Sequence, residues 1–266
     1  MKIFYLITFF ILGSLFGSFL TVVGYRLPKG EDFIKKRSHC DKCGHDLSLL
    51  DMVPFISYFL LKGRCRYCKV KFGSLSNWME FFTGILFALA FYVFGFSWEL
   101  LIALGIVAML IIISVTDISY YIIPDEVLIF FTCYFIVLKC LSGGFEAVFW
   151  GVLSGAALFV AMYLIMLIGD FVFKKESLGG GDIKMMFVFG LIVNPFMGFV
   201  IIFLSSFLAL PVSLLILCKK KNNLVPFGPF LLISFMFIFL ILCVFTKIYF
   251  KLLFVLLLIH FQDTYL

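Results

Sequence analysis

The chain has 266 residues, of which 64% are hydrophobic and only 14% charged, with a mean hydropathy of +1.19. A water-soluble domain is nearer about half apolar and a quarter charged, so lipid must be part of this chain's solvent. The net charge of +6 does not mark a nucleic-acid binder, because 11 of the 21 basic residues are gathered in one stretch, Arg26–Lys71.

A membrane-spanning helix needs about 20 mainly apolar residues. The first such segment, Ile3–Tyr25, carries Gly13, Ser14, Gly17 and Ser18 on one small-residue face, which suits close helix packing in lipid. No alanine precedes Ala88, and the basic residues follow the segment. It therefore reads as a retained span and not as a cleaved signal peptide. A polar insertion follows, and then Trp78–Phe96, Leu100–Val115, Val127–Leu141, Phe145–Phe173, Ile183–Val193, Pro195–Cys218 and Phe227–Phe245. Ile183–Val193 is short, and the Asn194-Pro195 pair behind it marks a tight turn or a kink. Tyr249–Phe261 is apolar but too short to span with confidence, and reads as an interfacial or bundle-packing piece.

The expected fold is thus all-α: a polytopic membrane helix bundle of about eight spans with a small cytoplasmic zinc-binding loop. Its parts are a first transmembrane helix (1–25), a four-cysteine loop (26–76), a membrane bundle (77–248) and a C-terminal apolar segment (249–266). Eight spans put 17 of the 21 basic residues on one side. By the positive-inside rule that side is cytoplasmic and the N-terminus lies outside.

Within the insertion, Cys40-x-x-Cys43 is followed after 21 residues by Cys65-x-x-Cys68. Two such hooks can set four thiolates at the corners of a tetrahedron, the arrangement of a closed structural zinc site. A metal of this kind folds a loop that has too little core of its own. The rival reading is a redox dithiol or a disulfide pair, which a cytoplasmic location disfavours. His39 and His45 stand close enough to serve as substitute ligands. The other cysteines, Cys133, Cys140, Cys218 and Cys243, read as small buried hydrophobes.

A charged group at membrane depth costs roughly 2.5–3.5 kcal/mol on insertion scales, so ionisable residues there are functional candidates. Asp117 ends the third span, and Asp182 opens the sixth in Gly179-Gly180-Gly181-Asp182. With eight spans both lie at cytoplasmic helix ends and can meet at one depth. Paired carboxylates divide acid and base roles, since like charge keeps one protonated while the other activates water. The glycines allow close approach of a substrate strand, and a helix N-terminus favours a carboxylate at Asp182. Against this, Asp182 can be a plain helix N-cap and Asp117 a simple span end. Asp125, between Pro124 and Glu126, reads as a turn or cap. Asp170 reads as an interfacial residue that snorkels or pairs with Lys174.

In order along the chain stand Gly17-Ser18-Phe19-Leu20-Thr21, Tyr25-Arg26-Leu27-Pro28, the two cysteine hooks, and Glu80-Phe81-Phe82-Thr83-Gly84. Asp117 leading to Ile123-Pro124-Asp125, the glycine-aspartate string and Pro226-Phe227-Gly228-Pro229 complete the set. This series resembles the bacterial type IV prepilin peptidase family nearly end to end. The resemblance implies an aspartic endopeptidase of the intramembrane glycine-x-glycine-aspartate type, with Asp117 and Asp182 as its catalytic pair. Its substrates are type IV prepilins or pseudopilins, cut after a short basic leader at the cytoplasmic face of the bacterial inner membrane. Members with the cysteine loop also methylate the new N-terminus from S-adenosylmethionine, and the resemblance points to Glu80 and Gly84 for that half. Thr21 stands where the family usually has Asn, and Ser76-Asn77-Trp78-Met79 where it usually has Tyr-Pro-Leu-Val. Both departures flank the methylation region, so a leader peptidase without methyl transfer is the alternative. A proton or cation carrier is a different class, but no internal repeat or midplane carboxylate supports it. A zinc-bearing scaffold leaves the glycine-aspartate string without a purpose.

Overall fold

The computed structural model describes residues 1–32, 43–45, 64–70, 74–174, 178–219 and 225–263. These residues form seven α-helices: α1 (Lys2–Arg26), α2 (Ser74–Phe94), α3 (Trp98–Tyr120), α4 (Asp125–Phe173), α5 (Gly180–Gly190), α6 (Pro195–Lys219) and α7 (Gly228–Asp263). Six of them are long and apolar enough to cross a membrane. In lipid every backbone polar group must be satisfied within the segment, which is why apolar runs of this length adopt helices.

Two features reshape the simple picture of parallel rods. The 49-residue α4 is broken at Gly144 (φ 69°, ψ −167°), a conformation that glycine alone adopts without strain. The chain folds back there. A Cβ at Gly151 would lie 3.1 Å from Lys139 Nζ, although a straight helix would separate these residues by about 18 Å. The two arms correspond to the two spans expected at Val127–Leu141 and Phe145–Phe173. The second feature is α5, whose 11 residues reach only about 16 Å, half of the roughly 30 Å hydrocarbon core. It is a half-helix held at depth by the second arm of α4. Gly190 packs directly on the backbone of Gly155, and Ser154 donates a hydrogen bond to the Val193 carbonyl at 2.8 Å. Asn194-Pro195 proves to be a turn, with Pro195 opening α6, a position where its missing N–H is harmless.

The centre of the bundle is α3, with 72% of its span buried, against 17% for the peripheral α6. It packs against α1, α2, α4 and α7. Phe189 of α5 stacks on Phe235 of α7 with ring centroids 4.1 Å apart, tying the half-helix to the core. The small-residue face of α1 meets α2: a Cβ on Gly17 would come within 2.7 Å of Thr83 Oγ1, and one on Gly84 within 2.5 Å of Ser14 Oγ. Cys133 and Cys140 are exposed on the bundle surface, where they differ from the expected buried hydrophobes; a lipid-facing surface accepts the same small apolar residues as a core. The stretch Tyr249–Phe261 is not a separate piece, because α7 runs through it without a break.

Candidate active site

Asp117 lies in the last turn of α3. That helix ends because Tyr121 turns left-handed (φ 56°) and returns its N–H to the Asp117 carbonyl at 3.0 Å. Ile122 and Ile123 then run out to Pro124, which precedes the first residue of α4. Asp182 sits in the first turn of α5, behind the N-cap Gly179. From the far side comes α7, whose first residue, Gly228, donates its backbone N–H to Asp117 Oδ2 at 2.9 Å. Three helix ends therefore converge on one spot.

Ile123 is the wedge between them. A Cβ on Gly181 would lie 2.7 Å from Ile123 Cβ, and one on Gly228 would lie 2.9 Å from Asp117 Oδ2 and 3.5 Å from Ile123 Cδ1. Both glycines are thus required by close approach, not by backbone angle. The two carboxylates lie within electrostatic reach of each other. Among the described residues, the buried carboxylates are Asp117, Asp182 and Glu80. Asp117 has its charge-assisted partner in Gly228, whereas Asp182 Oδ1 is buried and, among the described residues, has no hydrogen-bond partner. A buried carboxylate oxygen left without a donor is costly unless it carries a proton or meets a ligand.

The neighbouring aspartates are occupied otherwise. Asp125, the first residue of α4, forms an exposed ion pair with Lys184, at 2.7 and 2.8 Å to its two oxygens. Asp170, half-buried near the end of α4, has a polar interaction of its own. The contribution of Gly228 was not foreseen from the sequence, although Pro226-Phe227-Gly228-Pro229 had been singled out.

Glu80 is 7% exposed in the α1–α2 seam, hydrogen-bonded by the Ser18 side chain. Gly84 lies one turn further along α2, against Ser14 and Phe10. Close helix packing accounts for the size of Gly84.

In the insertion, Cys43, Cys65 and Cys68 bring their sulfurs within 4.8 Å of one another. Cys40 and His39 lie outside the described residues. Each hook is followed by a left-handed residue, Gly44 (φ 69°) and Lys69 (φ 55°), and the Lys69 N–H turns back to the Cys65 carbonyl at 3.0 Å. His45 packs against the Tyr67 ring at 3.6 Å between centroids. Three cysteine sulfurs gathered by two matching turns fit the soft, tetrahedral donor set of zinc. Purified protein is expected to hold about one zinc per chain. Cys65→Ser should lower that content and expose the loop to protease. Full metal occupancy in a Cys40→Ser/Cys65→Ser double variant would exclude the site.

The sequence model of the bacterial peptidase A24 N-terminal domain matches residues 11–94, and that of the type IV leader peptidase family matches residues 104–214. The chain is 34% identical over 185 residues to the prepilin leader peptidase/N-methyltransferase of Bacillus subtilis (strain 168), covering 70% of this chain and 72% of that protein. With the protein of the same description from Vibrio cholerae it shares 30% identity over 251 residues, covering 90% and 98% respectively. The Neisseria gonorrhoeae protein of that description is 28% identical over 253 residues, covering 86% and 88%. No solved structure matches the chain. The family models match in order along most of the chain, and these relatives align over 72–98% of their length: the chain belongs to the type IV leader peptidase family.

Proposed function

We propose that this protein removes the leader from prepilins or pseudopilins by hydrolysis at an aspartate pair, Asp117 and Asp182, and then methylates the new N-terminal amine. The observation that carries the reading is the meeting of two buried aspartates, 65 positions apart in sequence, at a convergence of three helix ends. The Gly228 N–H stabilises negative charge on Asp117, while the unpartnered oxygen of Asp182 suits the protonated acid. Asp117 takes a proton from a water molecule as its oxygen bonds to the scissile carbonyl carbon. Asp182 gives its proton to the carbonyl oxygen, leaving a tetrahedral diol. As the diol collapses, the C–N bond breaks, Asp117 returns its proton to the departing amine and Asp182 recovers one from a diol hydroxyl. The products are a leader ending in a carboxyl group and a shortened chain with a free amine, with both aspartates restored.

The basic loops place the pair at the cytoplasmic face of the bacterial inner membrane by the positive-inside rule, with the cysteine loop, folded by zinc, on the same side. S-adenosylmethionine, the methyl donor that the family resemblance implies, supplies the transferable group when bound. The descriptions of the relatives support both activities.

The reading is tested with full-length protein, S-adenosylmethionine and a full-length prepilin in liposomes, followed by mass spectrometry of the product. Leader removal plus one added methyl group is the expected result. Correctly cut but unmethylated pilin would leave a leader peptidase alone, with Thr21 and Ser76–Met79 as the first positions to exchange. Uncut prepilin would overturn the reading.

A further inference from the structure

The two faces of α5 keep different company. Asp182, Met186 and Phe189 are buried toward the bundle interior, whereas Lys184 is exposed and Phe187 half-buried on the opposite side. There the two arms of α4 flank α5 and leave a groove of about 490 Å³, within the range of specific ligand sites, about 300–1,000 Å³. Leu128 and Thr132 line it from the first arm, Ala156 and Val160 from the second, and Phe187 from α5. Its walls are apolar except at one end, where the Asp125–Lys184 ion pair sits. That end is the one nearest the glycine string, since Lys184 lies one turn beyond Gly180. Gly180 is itself exposed, and a Cβ added there would meet nothing within 4 Å.

These observations select an occupant. The aspartate pair is set among apolar helices, so a chain that reaches it must carry a segment at home in lipid next to the bond to be cut. A helix seated in the groove with its first turn at the ion pair would set its unsatisfied N–H groups, and the positive end of its dipole, beside the Asp125 carboxylate. The extended chain before that turn would then cross Gly180, where a Cβ would meet nothing within 4 Å, to the inner face bearing Asp182. An acyl chain would fill the apolar walls but has nothing to offer the ion pair.

We propose that this groove seats the apolar membrane helix of the leader-bearing substrate, with the segment before the helix passing over the glycines to the aspartate pair. The assignment rests on the leader-peptidase reading above.

The test uses full-length protein and full-length prepilin in liposomes. Thr132→Trp and Val160→Trp narrow the groove and should raise KM by about fivefold or more, with a much smaller fall in kcat. Phe207→Trp, on the exposed face of α6, should keep the wild-type KM. In parallel, a photo-crosslinking phenylalanine at Ile129, in an Asp182→Asn background that holds substrate uncut, should yield a covalent adduct with prepilin. A wild-type KM in both groove variants, or Ile129 adducts with lipid alone, would overturn the assignment. Should the tryptophan variants fail to accumulate, the crosslink decides, because Ile129 is an exposed part of the lining and its replacement disturbs no buried packing. If wild type and Phe207→Trp also leave prepilin uncut, the leader-peptidase reading has failed and takes the groove assignment with it.

Discussion

Asn at either Asp117 or Asp182 is expected to remove leader cleavage while leaving the protein in the membrane. Each replacement keeps the size of the side chain and deletes one half of the acid–base exchange. The loss should be about 10²–10⁴-fold for either position, and the double variant should be hardly worse than the single ones, because the two residues act as a unit. Asn at Asp182 buries no charge, so its folding should not suffer. Asp125→Asn and Asp170→Asn serve as comparisons. The first weakens an exposed ion pair with Lys184, worth about 1 kcal/mol or less, at the end of the groove, so it should keep kcat and raise KM at most modestly, whereas Asp170→Asn should retain most of the activity. Leader removal at the wild-type rate by Asp117→Asn or Asp182→Asn would sink the dyad. Complete loss at Asp170, in protein that folds and inserts normally, would mean that the partner was chosen wrongly.

Gly228→Ala should be nearly as damaging, although it removes no functional group. The new methyl group would stand 2.9 Å from Asp117 Oδ2 and 3.2 Å from Ile113 Cγ2, closer than atoms in contact tolerate. Since the glycine does not have a left-handed backbone, alanine creates no strain of its own, and the carboxylate has to give way. Displacing a catalytic group by about 1 Å can cost on the order of 10²-fold in rate. Because Asp117 would act after substrate has bound, the fall should appear in kcat, with KM little changed. Gly30→Ala is a suitable comparison: it lies at the end of the turn after α1, with open space around it, and its left-handed backbone makes the change a test of strain without crowding. Full activity in Gly228→Ala would show that the contact with Asp117 is dispensable.

Much of this molecule was legible in the chain itself. Spans could be read because lipid forces each crossing segment to be apolar and helical, a local property that needs no knowledge of neighbours. The cysteine hooks were legible for the same reason, since spacing within each hook sets the reach of its two sulfurs. Asp117 and Asp182 stood out because a carboxylate among apolar residues carries a cost that function must justify. What lay between elements was hidden. The sequence marks Val127–Leu141 and Phe145–Phe173 as two spans, but not that Gly144 alone makes the turn between them, which depends on one residue's backbone angle. Ile183–Val193 reads as a doubtful span because it is short. Only the structure shows a helix of 11 residues, packed on Gly155, Ser154 and Phe235, with Asp182 in its first turn. Glu80 and Gly84 fell within a motif, yet the close approach of α1 and α2 is what explains the size of Gly84. The donation from Gly228 to Asp117 joins residues 111 positions apart, and no local pattern encodes such a contact. Composition and spacing determined which residues were available for chemistry, whereas the crossing of three helix ends decided which of them meet, because that depends on side-chain volumes contributed by every element at once.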